Sequence, residues 1–170
     1  MNLKSYIRDI NDFPKSGIIF KDITPLFNDP KALKMASEGL TKLVNGKQVD
    51  KVVGMESRGF IFAPMLASQL DAGFVPVRKK GKLPYTSISE SYGLEYGTDE
   101  LEIHVDAISP GEKVLIHDDV LATGGTAAAV KNLIERLGGE VVQCNFLITL
   151  EFLNGKDKLQ GLEIASLIQY

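Results

Sequence analysis

Val114-Leu115-Ile116-His117-Asp118-Asp119-Val120-Leu121-Ala122-Thr123-Gly124-Gly125-Thr126 is the stretch that decides the fold. It begins as a β-branched apolar run, the mark of a buried strand. Two acids follow where that strand is expected to end, and then a turn of small residues. Beyond it, Val130, Leu133, Ile134 and Leu137 repeat at i, i+3, i+4 and i+7, the pattern of a helix with one buried face. The order strand, acidic pair, small-residue loop, helix is that of an open parallel sheet, in which ligands bind beyond the carboxyl ends of the strands.

The loop has a specific chemistry. Gly124 and Gly125 tolerate positive φ and carry no bulk, so backbone N–H groups are able to converge on one point. The following helix adds its unpaired N–H groups and positive dipole end. Ala122 is small, and Thr123 and Thr126 offer hydroxyls. This set suits a phosphate monoester. Asp118 and Asp119 suit a vicinal diol, or a hydrated Mg²⁺ held through water. A phosphate cradle beside two acids fits a ribose 5-phosphate; the plainer reading is a helix start after a strand with solvated acids. Neither G-x-x-x-x-G-K-[ST] nor G-x-G-x-x-G after a strand is present.

Outward from this stretch, strands are expected at residues 51–55, 73–78, 101–105, 113–118, 141–150 and 162–168. Helices are expected at 3–10, from Asp29-Pro30 onward, at 60–70 and at 125–137. Asp29 and Pro30 supply an N-cap and a first helical residue. Alternation of strand and helix implies βαβ units and a mostly parallel twisted sheet flanked by helices, an α/β fold. A length of 170 residues predicts one domain. Residues 79–99 are polar, rich in Gly, Ser and Tyr, and too long for a simple connection; a loop of that length is usually functional.

Composition narrows the class. Apolar residues make up 44% and charged residues 24%, ordinary for a globular protein. A net charge of −3 argues against a general nucleic-acid binder. No apolar run has membrane-spanning length, and the first residues lack the apolar core of a signal peptide. The single Cys144 lies in an apolar run and excludes an internal disulfide; a cytoplasmic protein is expected.

The strand, the two acids and the Thr-Gly-Gly-Thr turn closely resemble the phosphoribosyl pyrophosphate (PRPP) signature of the type I phosphoribosyltransferases. The departure is His117 before the acids, expected to be a strand residue packed in the sheet. Four further stretches resemble the branch of that family that acts on adenine. In Gly17-Ile18-Ile19-Phe20-Lys21-Asp22 the residues alone allow either a hydrophobic staple or an aromatic that stacks on a flat ring. The resemblance implies a hood over the purine, spanning about residues 1–30, with Phe20 stacking and the backbone near Ile19 and Lys21 reading the base edge.

Glu56-Ser57-Arg58-Gly59 lies at a strand-to-helix junction, where Arg58 could grip an anion bidentately or be a surface arginine. The resemblance implies a pyrophosphate loop formed by Glu56, Ser57 and Arg58, with a cis Glu56–Ser57 bond. Arg78-Lys79-Lys80-Gly81-Lys82 is a local cationic run, read either as a solvated cluster or as a polyphosphate site. The resemblance puts Arg78, Lys79 and Lys82 on the pyrophosphate. Ser91-Tyr92-Gly93-Leu94-Glu95-Tyr96-Gly97 has the look of a flexible lid. There the resemblance implies that Glu95 handles the purine proton and that Tyr96 belongs to the lid.

The implied reaction is adenine + PRPP ⇌ AMP + pyrophosphate, with Mg²⁺ held through PRPP and water, by a homodimer without nucleic-acid or membrane partners. The alternatives are a phosphoribosyltransferase for another base, or a regulator that keeps the fold and senses the nucleotide without catalysis.

Overall fold

The computed structural model describes residues 2–93 and 98–170. It contains two compact units, Met1–Gly39 and Leu40–Tyr170.

The first unit starts with one 3-10 turn, Leu3–Tyr6, where the Lys4 N–H donates to the Asn2 side chain. The expected helix over 3–10 ends there. Ile7 is extended, and β1 (Arg8–Asn11) pairs antiparallel with β2 (Ile19–Asp22), setting Ile10 opposite Phe20. Arg8 and Asp22 form an ion pair at 2.6 Å across the hairpin. Phe13 and Phe20 meet edge to face with centroids 5.1 Å apart. The short helix α1 (Thr24–Asn28), with Pro25 in its first turn, was not apparent from periodicity. Asp29 caps α2 (Pro30–Leu43) by accepting from the N–H groups of Lys31 and Ala32, as expected.

The second unit is built on β3 (Lys51–Met55), α3 (Gly59–Gln69), β4 (Gly73–Lys79), β5 (Ser87–Gly93), β6 (Thr98–His104), β7 (Lys113–Leu121), α4 (Gly125–Arg136), β8 (Glu140–Thr149) and β9 (Ile164–Gln169). Sheet order is β5-β6-β4-β3-β7-β8-β9. The pairs β4-β3, β3-β7, β7-β8 and β8-β9 are parallel, and the β5-β6 hairpin joins β4 antiparallel. The fully buried Val53, Val77, Ile116 and Phe146 belong to the core into which α4 sets Val130, Leu133 and Ile134. Burying such side chains is worth roughly 1.5–3 kcal/mol each.

Two expectations change. Residues 87–93, expected in a loop, form a full strand of the main sheet. Ile88 and Tyr92 pack on the core, and Glu90 between them is met by Asn132 at 2.9 Å and by Arg136. In addition, β7 runs through both acids instead of ending at them, because Val120 and Leu121 pair with Ile148 and Thr149 of β8.

Candidate active site

The carboxyl end of β7 carries the chemistry. His117 is fully buried, its Nδ1 3.2 Å from Asn145 Oδ1, and Asn145 donates to the Leu40 carbonyl at 3.0 Å. Burial lowers its pKa to about 4, so it is a neutral sheet residue. Asp118 and Asp119 follow, joined by the Asp119 N–H donating to Asp118 Oδ1 at 2.9 Å. Burial, and for Asp118 also repulsion from Asp119, pushes both carboxyls up. Arg58, at the start of α3, opposes this with its Nε 2.9 Å from Asp119 Oδ2. The expected pyrophosphate arginine therefore meets the expected ribose acid across 61 positions of sequence.

The phosphate loop follows at once. Gly124 adopts φ +76°, and the Ala128 N–H donates to its carbonyl as α4 begins. A small cleft is lined by Asp118, Ala122, Thr123, Gly124 and Thr126, with Met55, Val120 and Phe146 among its apolar walls. These last three were not singled out, because alone in sequence they read as ordinary strand residues. Gly125 opens α4 beside this cleft.

The second cluster is at the ends of β3 and β4. The Glu56–Ser57 bond is cis, as the resemblance implied. The Glu56 carboxylate accepts from the Lys79 N–H at 2.9 Å, pairs with Lys82 Nζ, and lies 3.4 Å from Arg78 Nε. Burial works against its charge, but Lys82, the Lys79 amide and Arg78 outweigh that and hold the carboxyl below its usual range. Lys79 Nζ reaches Asp99 at 2.8 Å, and Tyr92 Oη donates to the same carboxylate at 3.3 Å. Arg78 and Lys82 thus meet at Glu56, whereas Lys79 gives Glu56 only its main-chain N–H and sends its side chain to Asp99.

Ile19, Phe20 and Lys21 lie in the first unit. Ile19 is exposed, Phe20 packs on Phe13, and Lys21 pairs with Asp9 at 2.7 Å. The expected base catalyst Glu95 and lid residue Tyr96 lie outside the described residues. No group of three or more metal-ligating side chains occurs among the described residues.

Two acids on a central strand, a glycine-bent loop at a helix start and a separate cation cluster define a phosphoribosyltransferase. The family model described as phosphoribosyl transferase domain matches residues 26–162. An adenine phosphoribosyltransferase of Christiangramia forsetii is 63% identical over all of this chain and 99% of its own. The crystal structure of the adenine phosphoribosyltransferase of Rhodothermus marinus superimposes with a TM-score of 0.94 at 57% identity, covering 99% of this chain and 96% of that one. The Saccharomyces cerevisiae adenine phosphoribosyltransferase, complexed with an imino-altritol bisphosphate and adenine, gives 0.91 at 40% identity, covering 96% of this chain and 95% of that one. The chain belongs to the adenine phosphoribosyltransferases of the type I phosphoribosyltransferase family.

Proposed function

We propose that this protein transfers the 5-phosphoribosyl group of PRPP to adenine, giving AMP and pyrophosphate, as a step of purine salvage. The observation that carries the reading is the juxtaposition at one sheet edge. The phosphate loop, the paired acids and the Arg58–Asp119 contact lie beside a cation cluster suited to a leaving polyphosphate.

The 5′-phosphate is taken by the N–H groups and hydroxyls of Ala122–Thr126, with the α4 dipole behind them. Asp118 and Asp119 accept from the ribose hydroxyls and position the anomeric carbon. Ser57, Arg58, Arg78, Lys79 and Lys82 receive the pyrophosphate as the glycosidic bond lengthens towards an oxocarbenium-like state. Catalysis is positioning plus charge stabilisation, without a covalent nucleophile. Phe20 stacks on adenine, with Ile19 and Lys21 reading its edge. The lid closes and brings Glu95 to the purine proton, excluding water.

Asp118 and Asp119 also fit a divalent cation. Asp119 is buried beside the half-buried Asp118, one arginine meets Asp119, and Asp119 Oδ2 has no aligned hydrogen-bond donor among the described residues. A Mg²⁺ bound there through PRPP and water would supply charge neutralisation for the leaving group.

The active form is a homodimer, supported by the family resemblance, by the prevalence of two-fold assemblies and by the exposed apolar Ile61 and Phe74. The free thiol of Cys144, buried and pushed up to about 12, supports a cytoplasmic setting.

The deciding experiment compares adenine, hypoxanthine, guanine and orotate as acceptors with PRPP and Mg²⁺. Turnover with adenine well above the rest is expected. Preference for another base would give the site a different substrate, and no turnover with any base would favour the regulator.

A further inference from the structure

At Gly124 the phosphate loop is backed by main chain. A Cβ built on Gly124 would stand 2.2 Å from the carbonyl oxygen of Gly155, and a Cβ on Gly155 would stand 2.1 Å from the carbonyl oxygen of Ala122. That same Cβ on Gly155 would stand 3.0 Å from the Gly124 nitrogen. Two main chains are therefore in direct contact, each able to approach only because the other lacks a side chain.

The segment that delivers Gly155 is itself anchored. Leu150 N–H donates to the Leu121 carbonyl at 2.9 Å, tying the end of β8 to the end of β7. Asn154, at φ 51°, turns the chain into the 3-10 stretch Gly155–Leu159. Gly155 is buried, and Leu159, 1% exposed, joins the core that holds Ala127, Val130 and Leu133 of α4. The stretch is thus fixed to the same helix whose first turn forms part of the phosphate cradle.

We infer that Gly155 is a positioning residue for substrate phosphate: its backbone is the wall that holds Ala122–Gly125 in their anion-binding shape. It acts through the loop and does not touch the ligand. The inference rests on the reading of Ala122–Thr126 as the 5′-phosphate site.

Gly155→Ala forces the Ala122 carbonyl or the 155 backbone to retreat by roughly 1.3 Å to reach ordinary contact. A displacement of that size at a binding group costs up to about a hundredfold. The expected result is an AMP affinity ten- to a hundredfold weaker by calorimetry, with KM for PRPP rising in step. KM for adenine should stay within about twofold, and kcat at saturating PRPP should fall less than kcat/KM. Gly161→Ala is the control. Gly161 has φ +81° with open space around it, so alanine there strains the backbone without reaching the loop. It should lower the melting temperature and leave AMP affinity unchanged.

An AMP affinity within twofold of the parent in Gly155→Ala, or equal losses for AMP and adenine, would overturn the inference. If Gly155→Ala does not fold, Leu159→Ala decides. It removes the anchor without a clash and should weaken AMP more than adenine; an unchanged AMP affinity there would overturn it too. Thr126→Ala separates this from the underlying reading. Full AMP affinity in that variant would remove the cradle assignment, whereas loss there with none in Gly155→Ala would remove only the role of Gly155.

Discussion

Gly59→Ala should separate activity from stability. Gly59 opens α3 and lies against β7: a Cβ there would stand 2.8 Å from Asp118 Oδ1, 3.2 Å from the His117 carbonyl and 3.3 Å from Asp118 Cα. The backbone neighbours are tight but tolerable, so the carboxylate oxygen must give way. To reach ordinary contact it has to retreat by roughly 0.6 Å or more. That oxygen is also the acceptor of the Asp119 N–H, so both acids are disturbed. Misplacement by 1 Å costs about a hundredfold, so the expected loss in kcat/KM for PRPP is about ten- to a hundredfold, or ~1.4–2.7 kcal/mol. Stability should move little, because alanine gains up to ~1 kcal/mol of helix propensity against the new contact. The assay is steady-state turnover with PRPP varied at saturating adenine, beside a denaturant melt. Parental kcat/KM in a variant of parental stability would show that the placement of Asp118 does not matter, and the ribose role would fall with it.

Phe20→Ala should weaken adenine more than PRPP, by about 1–3 kcal/mol, since it removes a stacking face and no phosphate contact; equal losses in calorimetry would refute the hood assignment. Glu95→Gln should lower kcat far more than it weakens PRPP, because the lost interaction belongs to the transition state. Parental turnover under saturating, chemistry-limited conditions would remove Glu95 from catalysis. The Thr24 hydroxyl and N–H, and then Arg8, hold Asp22 at about 2, below its ordinary 3.8. Its stabilisation is thus complete above about pH 4 and is lost as pH falls towards 2. Asp22→Asn should therefore be less stable at pH 7 by ~1 kcal/mol, a figure discounted for the exposed Arg8, and the difference should vanish near pH 2 in urea melts. Buried Cys144 should resist aromatic disulfide reagents at pH 8 in the native state and react only on unfolding; rapid reaction with the folded protein would contradict its burial.

What was legible in the sequence follows physical scale. The β7–loop–α4 unit could be read because its periodicities and its glycines are local facts. The stretch Ser87–Gly93 could not, since its inward face carries Glu90 between Ile88 and Tyr92, and the charge is answered only by Asn132 and Arg136 of a distant helix. Residues 3–10 carry helical spacing, yet Ile10 is claimed by Phe20 across a hairpin, a pairing that outweighs one marginal turn. The extension of β7 past its acids is set by the register with β8, which no window on β7 alone contains. The cations of the site were legible as residue types, and Glu56 as part of the loop that carries Arg58, but the pairing of Glu56 with Arg78 and Lys82 is made only by the fold.

Glu56 and Asp119 give the site a further property. Each cation expected on the pyrophosphate already has an anionic companion: Arg58 has Asp119, Lys79 has Asp99, and Arg78 and Lys82 have Glu56. A polyphosphate arriving here enters a counterion exchange, displacing carboxylates from guanidinium and ammonium groups that were never bare. Long-range attraction of the substrate is muted, and the affinity for PRPP should depend on ionic strength less steeply than four uncompensated cations would dictate. The same carboxylates stand ready to take the cations back as pyrophosphate departs, which resets the site without leaving like charges crowded together.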